Sequence, residues 1–248
     1  MYGDLDRPPL RAPALQRALE PDGYRVEVLE TAGSTNALVA ERARAGEAHG
    51  LVVVAEEQTE GRGRLDRTWV SPARAGLTFS VLVRPDLPPE RLGWVPLLAG
   101  LGVAQALRRQ CEVDAVLKWP NDVLIADRKV CGLLAEAVDG AVVVGIGLNV
   151  STRREELPVP EATSLALEGA ATTDRDTVLK AVLRSISDAL GDRTFASYRE
   201  LCSTLGREVR VELPAGEAVT GTAEAVDDDG RLVINGTAYA AGDVVHLR

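Results

Sequence analysis

The sequence predicts an α/β (α+β) fold, a mixed sheet flanked by helices and followed by a small β-barrel. Up to about residue 204, apolar runs of strand length alternate with amphipathic segments of helix length. After Cys202 the pattern changes to short alternating runs at regular spacing, separated by Gly, Pro, Asp and Asn. A hydrophobic content of 46% is ample for a buried core, and 26% charged residues is ordinary for a globular chain.

Residues 1–20 read as a short lead-in, 21–204 as the main unit and 205–248 as the barrel. Tyr24 to Val28 alternates and reads as a strand. Ser34 caps a helix running to Arg44, with Gly46 as its stop. Leu51 to Ala55 is a continuous apolar run, hence a buried strand, and Leu77 to Val83 is another. Pro88-Pro89-Glu90 opens a helix reaching Arg109, with Leu97, Leu101 and Ala104 on one face. Val116-Leu117 and Val123 to Ile125 are short strands, with Asp127-Arg128 as the turn before a strand from Gly132 to Val138. Asp139-Gly140 marks a hairpin into Ala141 to Val150. Residues 152–173 read as loop. From Asp174 to Leu190, Val178, Leu179, Val182, Leu183, Ile186 and Leu190 form one stripe of a helix. The barrel strands are Val209–Leu213, 219–226, 232–234 and 244–247.

The net charge of −9 argues against a nucleic-acid binder, which needs a basic surface to displace counterions. Three widely spaced cysteines, Cys111, Cys131 and Cys202, give neither a disulfide framework nor a zinc knuckle. The first residues carry charges and prolines instead of a signal sequence, and no apolar run spans a bilayer. A cytoplasmic protein without membrane contact is expected.

Against this acidic background Gly61-Arg62-Gly63-Arg64-Leu65-Asp66-Arg67-Thr68-Trp69 stands out. Glycines let a backbone wrap closely around a ligand, and guanidinium groups neutralise phosphate or carboxylate oxygens. A second cluster, Lys118-Trp119-Pro120-Asn121-Asp122 followed by Lys129, lies downstream. Together they point to chemistry on a small anion. There is no P-loop, and Gly145-Ile146-Gly147 lacks the third glycine and helix of a dinucleotide fingerprint. His49 and His246 are poorly placed for a nucleophilic triad.

Ser34-Thr35-Asn36, Gln58 with Gly61-Arg62-Gly63-Arg64, Lys118 to Asp122, Lys129 before Gly132, and Gly145 to Asn149 stand in an order that resembles the bacterial biotin protein ligases. The resemblance covers roughly residues 24–248. It implies a class II synthetase-like domain with an SH3-like C-terminal barrel. It also implies a two-step reaction, in which ATP activates biotin as biotinyl-5′-AMP and an acceptor lysine then takes the biotinyl group. Carried over, the biotin site is Ser34, Thr35, Asn36, Gln58, Gly61, Arg62, Gly63, Arg64, Lys129 and Gly132. The ATP site is Arg64, Arg67, Trp69, Asn121, Lys129 and Asn149. Lys129 and Arg64 are the catalytic candidates, and Asp122 is the candidate Mg²⁺ ligand. Asp66 departs from the glycine common in the family's loop.

The implied acceptor is the biotin carboxyl carrier domain of a biotin-dependent carboxylase, with the ligase a monomer or homodimer. Only about twenty residues precede the first strand, too few for the DNA-binding domain that some relatives carry, so no nucleic-acid partner is expected. A lipoate or octanoate ligase or transferase of the same superfamily is the alternative. The polar Ser34-Thr35-Asn36 and Gln58 set suits a ureido ring better than a dithiolane or alkyl chain.

Overall fold

The computed structural model describes residues 7–64, 67–191, 195–213 and 216–247. Asp66 lies outside them. Seven strands form the main sheet: β1 (Arg25–Ala32), β2 (Leu51–Gln58), β3 (Gly76–Val83), β4 (Ala115–Lys118), β5 (Asp122–Ile125), β6 (Arg128–Val138) and β7 (Ala141–Asn149). Their spatial order is β1-β2-β3-β7-β6-β5-β4. β1 and β2 run parallel, while the other neighbours are antiparallel, so the sheet is mixed as expected.

Two helices, α3 (Trp94–Gln110) and α4 (Arg175–Leu190), cover one face. There Leu97, Leu101, Val178, Val182 and Ile186 pack against Val54, Phe79, Val144 and Ile146 in the main core. Helix α3 touches α4 at Gly102, where a Cβ would stand 2.6 Å from the Ile186 Cα. On the opposite face α2 (Thr35–Arg44) seats Val39, Ala40 and Ala43 on Leu51, Val53, Leu82 and Val143. That short helix covers only part of the face. The uncovered part, over β3, β7 and β6, becomes the cleft floor.

Beyond α5 (Ala196–Leu201) lies a five-stranded antiparallel sheet, in spatial order β11-β10-β9-β8-β12. Its strands are β8 (Glu208–Glu212), β9 (Ala218–Val226), β10 (Leu232–Ile234), β11 (Thr237–Tyr239) and β12 (Asp243–His246). The main core continues into it through Val209, Val211, Ile234 and Val244. Two buried indoles pin it down: Trp94 donates to the Asp228 carbonyl at 2.9 Å and Trp119 to the Gly230 carbonyl at 3.0 Å.

Several boundaries differ from the sequence reading. The lead-in contains a helix, α1 (Ala12–Leu19), which buries Leu15 and Leu19. Two turns are too few to be stable alone, so it exists by docking. The Leu10 amide donates to Glu56 at 2.6 Å, and the Glu56 carboxylate is held 2.5 Å from Arg175, both almost fully buried. Pro89 opens only a single 3₁₀ turn, Pro89–Arg91, and α3 starts later, at Trp94. Gly93, a weak helix former, intervenes, and the Trp94 indole stacks on Phe195 at 4.0 Å. The turn before β6 falls on Ala126 and Asp127, both at positive φ, one residue earlier than expected. Helix α5 and strand β11 were not anticipated; each is short and held by its neighbours. Asp139 and Gly140 do form the expected hairpin turn, both at positive φ.

Candidate active site

The pleat of the sheet builds the cleft floor. Residues of one parity on β3, β7, β6 and β5 face away from the main core, so the pairs Thr78–Gly147, Gly147–Gly132 and Gly132–Asp122 run as one row across four strands. Beside it runs Ser80–Gly145–Leu134. The glycines leave room for what lies on them. A Cβ on Gly145 would meet Asn36 Oδ1 at 2.1 Å, and one on Gly147 would meet the Trp69 ring at 2.3 Å. The Gly-Ile-Gly run is therefore a flat surface under other side chains, with Ile146 turned into the core.

At one end the start of α2 supplies a polar cluster. Ser34 is the helix N-cap, while Thr35 and Asn36 are buried in the first turn. Gln58 Oε1 accepts from the Thr35 amide at 2.7 Å and its hydroxyl at 3.0 Å. That arrangement leaves the Gln58 amide NH₂ to donate elsewhere. Ser80 donates to Asn36 Oδ1 at 2.6 Å and lies 2.7 Å from the Thr35 hydroxyl. Asn36 Nδ2 donates to the Leu134 carbonyl at 3.1 Å and to Glu136 at 3.0 Å. These groups are preset by their own network, so they need little reorganisation to read a ligand.

Over the floor lies a flap. An Arg62–Thr68 bridge, the Gly63 amide donating to the Arg67 carbonyl at 2.6 Å, and the Trp69 amide donating to Gly61 at 2.9 Å fold it back on itself. Each arginine has a partner on a different element. Arg62 meets Glu136 at 3.1 Å, Arg64 donates to Asn121 Oδ1 at 3.0 Å, and Arg67 pairs with Asp243 of β12. Partial burial holds the Arg64 guanidinium below its ordinary pKa.

Lys129 closes the opposite end. Its backbone is fixed by the Glu161 carbonyl (2.7 Å) and the Thr163 amide (2.8 Å). Its ammonium lies 2.6 Å from Asp122 Oδ1, but that oxygen lacks a well-directed hydrogen bond, so the pair is held by charge. The ammonium also stands 6.0 Å from the Trp69 ring centroid. The Trp69 indole nitrogen is buried without a partner among the described residues.

The cleft these parts enclose has a volume of about 470 Å³, suited to a sizeable organic ligand. Five cationic side chains, Arg62, Arg64, Arg67, Lys118 and Lys129, line it against two carboxylates, Asp122 and Asp243. Ser34, Thr35, Asn36, Gln58, Gly63, Trp69, Asn121, Gly132 and Asn149 also line it. Asn149 is tied to the Thr163 carbonyl at 2.9 Å. Gly61 instead sits buried at the flap's base, where a Cβ would clash with the Trp69 carbonyl at 2.3 Å. Sequence reasoning missed Thr78, Ser80 and Glu136; a hydroxyl inside an apolar strand was the available signal for Ser80. It also missed Asp243 and Val245, which β12 brings in from far along the chain.

A thiol or triad mechanism has no support among the described residues. All three cysteines are buried and unpaired in disulfides, and burial raises their thiol pKa values. His49 accepts from the Arg84 amide, and His246 contacts Thr204 and Arg207.

A mixed sheet with a helix-capped polar pocket, a glycine floor and a cationic flap is the frame of a protein that binds a small organic anion. Residues 28–152 match the biotin/lipoate A/B protein ligase family, and residues 204–247 match the biotin protein ligase C terminal domain. The chain is 41% identical to biotin–[acetyl-CoA-carboxylase] ligase of Mycobacterium tuberculosis, over 98% of this chain and 99% of that one. It is 32% identical to the bifunctional ligase/repressor BirA of Escherichia coli, over 86% of this chain and 70% of that one. A biotin protein ligase from Aquifex aeolicus, solved in complex with biotin and ATP, superposes with a TM-score of 0.76 at 32% identity, covering 90% of this chain and 99% of that one. The chain belongs to the biotin/lipoate A/B protein ligase family, and within it to the biotin protein ligases rather than the lipoate ligases.

Proposed function

We propose that this protein joins biotin to a lysine of an acceptor protein in two steps. In the first, biotin's carboxylate oxygen attacks the α-phosphorus of ATP, the bond to pyrophosphate breaks, and biotinyl-5′-AMP forms. In the second, the acceptor's lysine nitrogen, as the free amine, attacks the acyl carbon. The bond to phosphate breaks, AMP leaves and a proton goes to solvent. The observation that carries this reading is five cations gathered over one glycine floor in a protein of net charge −9.

The residues divide the work by position. Thr35, Asn36, Gln58 and Ser34 pair with the ureido ring's C=O and N–H groups. A site built to pair such groups rejects analogues lacking them by roughly 10⁴-fold. Arg62 and Gly63 follow the chain toward the reacting carboxylate. Lys129 leaves Asp122 for the carboxylate and bridging oxygens, where its point charge stabilises the charge that develops at phosphorus. Arg64 and Arg67 neutralise phosphate oxygens, Asn121 orients Arg64, and Asn149 and Trp69 face the adenine. With the flap down, water is kept from the mixed anhydride.

No group of three or more His, Cys, Asp or Glu side chains forms a metal cage among the described residues. The carboxylate of Asp122, on the cleft wall, fits a Mg²⁺ ion held mostly by substrate phosphates. When bound, such an ion would offset phosphate charge. Residues 21–204 serve as the biotin and ATP unit, and the C-terminal unit, residues 205–248, contributes Asp243, Val244 and Val245 to one side of the cleft.

Incubation with ATP, Mg²⁺, labelled biotin and a biotin carboxyl carrier domain tests the reading. A covalent adduct on the carrier's lysine is expected, with none from labelled lipoate. No adduct with biotin, or an equal one with lipoate, would refute it.

A further inference from the structure

Lys129 reaches the cleft through an irregularity in its strand. Side chains alternate along a strand, so residues three apart ordinarily face opposite ways. Lys129 and Gly132 are three apart, yet both line the cleft, and a Cβ on Gly132 would stand 2.9 Å from the Lys129 Nζ. The pairing of β6 with β5 explains this. Val123 pairs with Cys131, but the next residue, Leu124, pairs with Lys129, so Val130 is an extra residue in the ladder. Val130 and Cys131, although consecutive, both belong to the main core. In a regular ladder Lys129 would oppose Ile125, on the core side of the sheet. A bulge of this kind re-aims one side chain and disrupts the local hydrogen bonding of its strand.

Residues 152–173, a loop by sequence, supply partners at that point. The Lys129 amide donates to the Glu161 carbonyl at 2.7 Å, and the Lys129 carbonyl accepts from the Thr163 amide at 2.8 Å. Thr163 is fully buried, and its hydroxyl donates to the Glu168 carboxylate. The same carboxylate oxygen lies 2.7 Å from the Arg128 guanidinium, and the Glu168 side chain is only 9% exposed. Arg128 precedes Lys129 in the chain, so the contacts close a ring from Lys129 through Thr163, Glu168 and Arg128 back to Lys129. Thr163, Glu168 and Arg128 do not themselves line the cleft. Burying a hydroxyl and a carboxylate is costly unless each is paired. Here both are paired to the segment that sets the direction of Lys129.

We propose that Thr163 and Glu168 are positioning residues for Lys129, holding the β6 bulge so that its ammonium faces the reacting oxygens. This rests on the proposed function, in which Lys129 stabilises charge at phosphorus, and it names what aims that cation. A small misplacement of a catalytic group lowers the rate far more than it lowers binding.

The test uses the full chain carrying Thr163→Val, which keeps the side chain's shape and removes its hydroxyl, and separately Glu168→Ala. In both, kcat for biotinyl-AMP formation should fall about tenfold or more. Biotin affinity by calorimetry and the KM for ATP should stay within about threefold. Thr163→Ser, which restores the hydroxyl, should hold kcat within about twofold of the unmutated protein. In a Lys129→Ala background Thr163→Val should change the remaining rate by less than about twofold, because the group it aims is gone. Unchanged kcat in both variants overturns the assignment. So does a parallel loss of biotin affinity, unfolding of both variants, or a Thr163→Val loss that adds in full to that of Lys129→Ala. Failure of the unmutated protein to form biotinyl-AMP would instead refute the proposed function.

Discussion

The glycine floor and the arginine flap face each other across one cleft, yet they are held by different forces. Floor residues Gly145, Gly147 and Gly132 sit inside strands paired on both sides, above a continuous apolar core. The described flap residues rest on a few backbone hydrogen bonds around the Arg62–Thr68 bridge, on the Arg64–Asn121 bond, and on ion pairs whose arginines are half or more exposed, Arg62 at 50% and Arg67 at 62%. Exposed ion pairs contribute only about 0–1 kcal/mol each. The floor therefore has one geometry, whereas the flap's contacts can be exchanged for a ligand's anionic oxygens at small cost. A reactive adenylate needs both, a fixed surface on which to align two anions and a cover that opens to an acceptor.

The sharpest break in this comparison is expected at Lys129, the cation anchored to the floor. Lys129→Ala should keep its circular dichroism spectrum and lose about 10²–10³-fold in biotinyl-AMP formation. Turnover near the unmutated rate would remove Lys129 from the chemistry.

Adding one methyl group to each region probes rigidity directly. Gly145→Ala places a Cβ 2.1 Å from Asn36 Oδ1, and the Asn36 side chain can yield only by breaking its hydrogen bonds to Ser80, Leu134 and Glu136. Overpacking of this kind costs about 1–3 kcal/mol, so calorimetry should show biotin binding weakened roughly ten- to hundredfold. Gly63→Ala meets its nearest neighbour, the Arg67 carbonyl, at 3.2 Å, and the flap can shift to admit it. Biotin binding should fall only a few-fold, about 1 kcal/mol or less. Equal damage at the two sites would mean that the flap is as rigid as the floor.

A smaller effect is expected where the C-terminal sheet meets the main domain. His246 contacts Thr204, whose hydroxyl accepts from the Trp119 amide, and burial with Lys118 and Arg207 nearby lowers its pKa to about 4. An unfolded chain takes up this proton near pH 6.5, while the folded one resists until about pH 4. The contribution is therefore a stability loss that grows as pH falls from 6.5 to 4 and is absent above that window. Thermal melts of His246→Gln should decline less steeply across that range than the unmutated protein. Parallel profiles would discount His246.

The sequence made legible what local chemistry writes: the alternation of Arg and Gly, the Lys129 and Asn121-Asp122 placements, and the strands and helices with strong periodicity. Ser34, for example, combined a helix cap and a pocket wall in one residue. It hid whatever depends on a distant partner. Helix α1 shows two leucines one turn apart, but its stability comes from docking near the buried Glu56–Arg175 pair. Glu136 reads as an ordinary polar strand position until Asn36 and Arg62 both meet it. Asp243 lies far along the chain from Arg67, and only the packing of the C-terminal sheet joins them.

The fixed floor and closing flap are tested most directly by hydrogen–deuterium exchange over residues 59–72 and 141–149, with and without biotin plus ATP and Mg²⁺. The account predicts rapid exchange in the first segment that slows markedly with both ligands, and slow exchange in the second under either condition. Equal exchange of the first segment with and without ligands would contradict it.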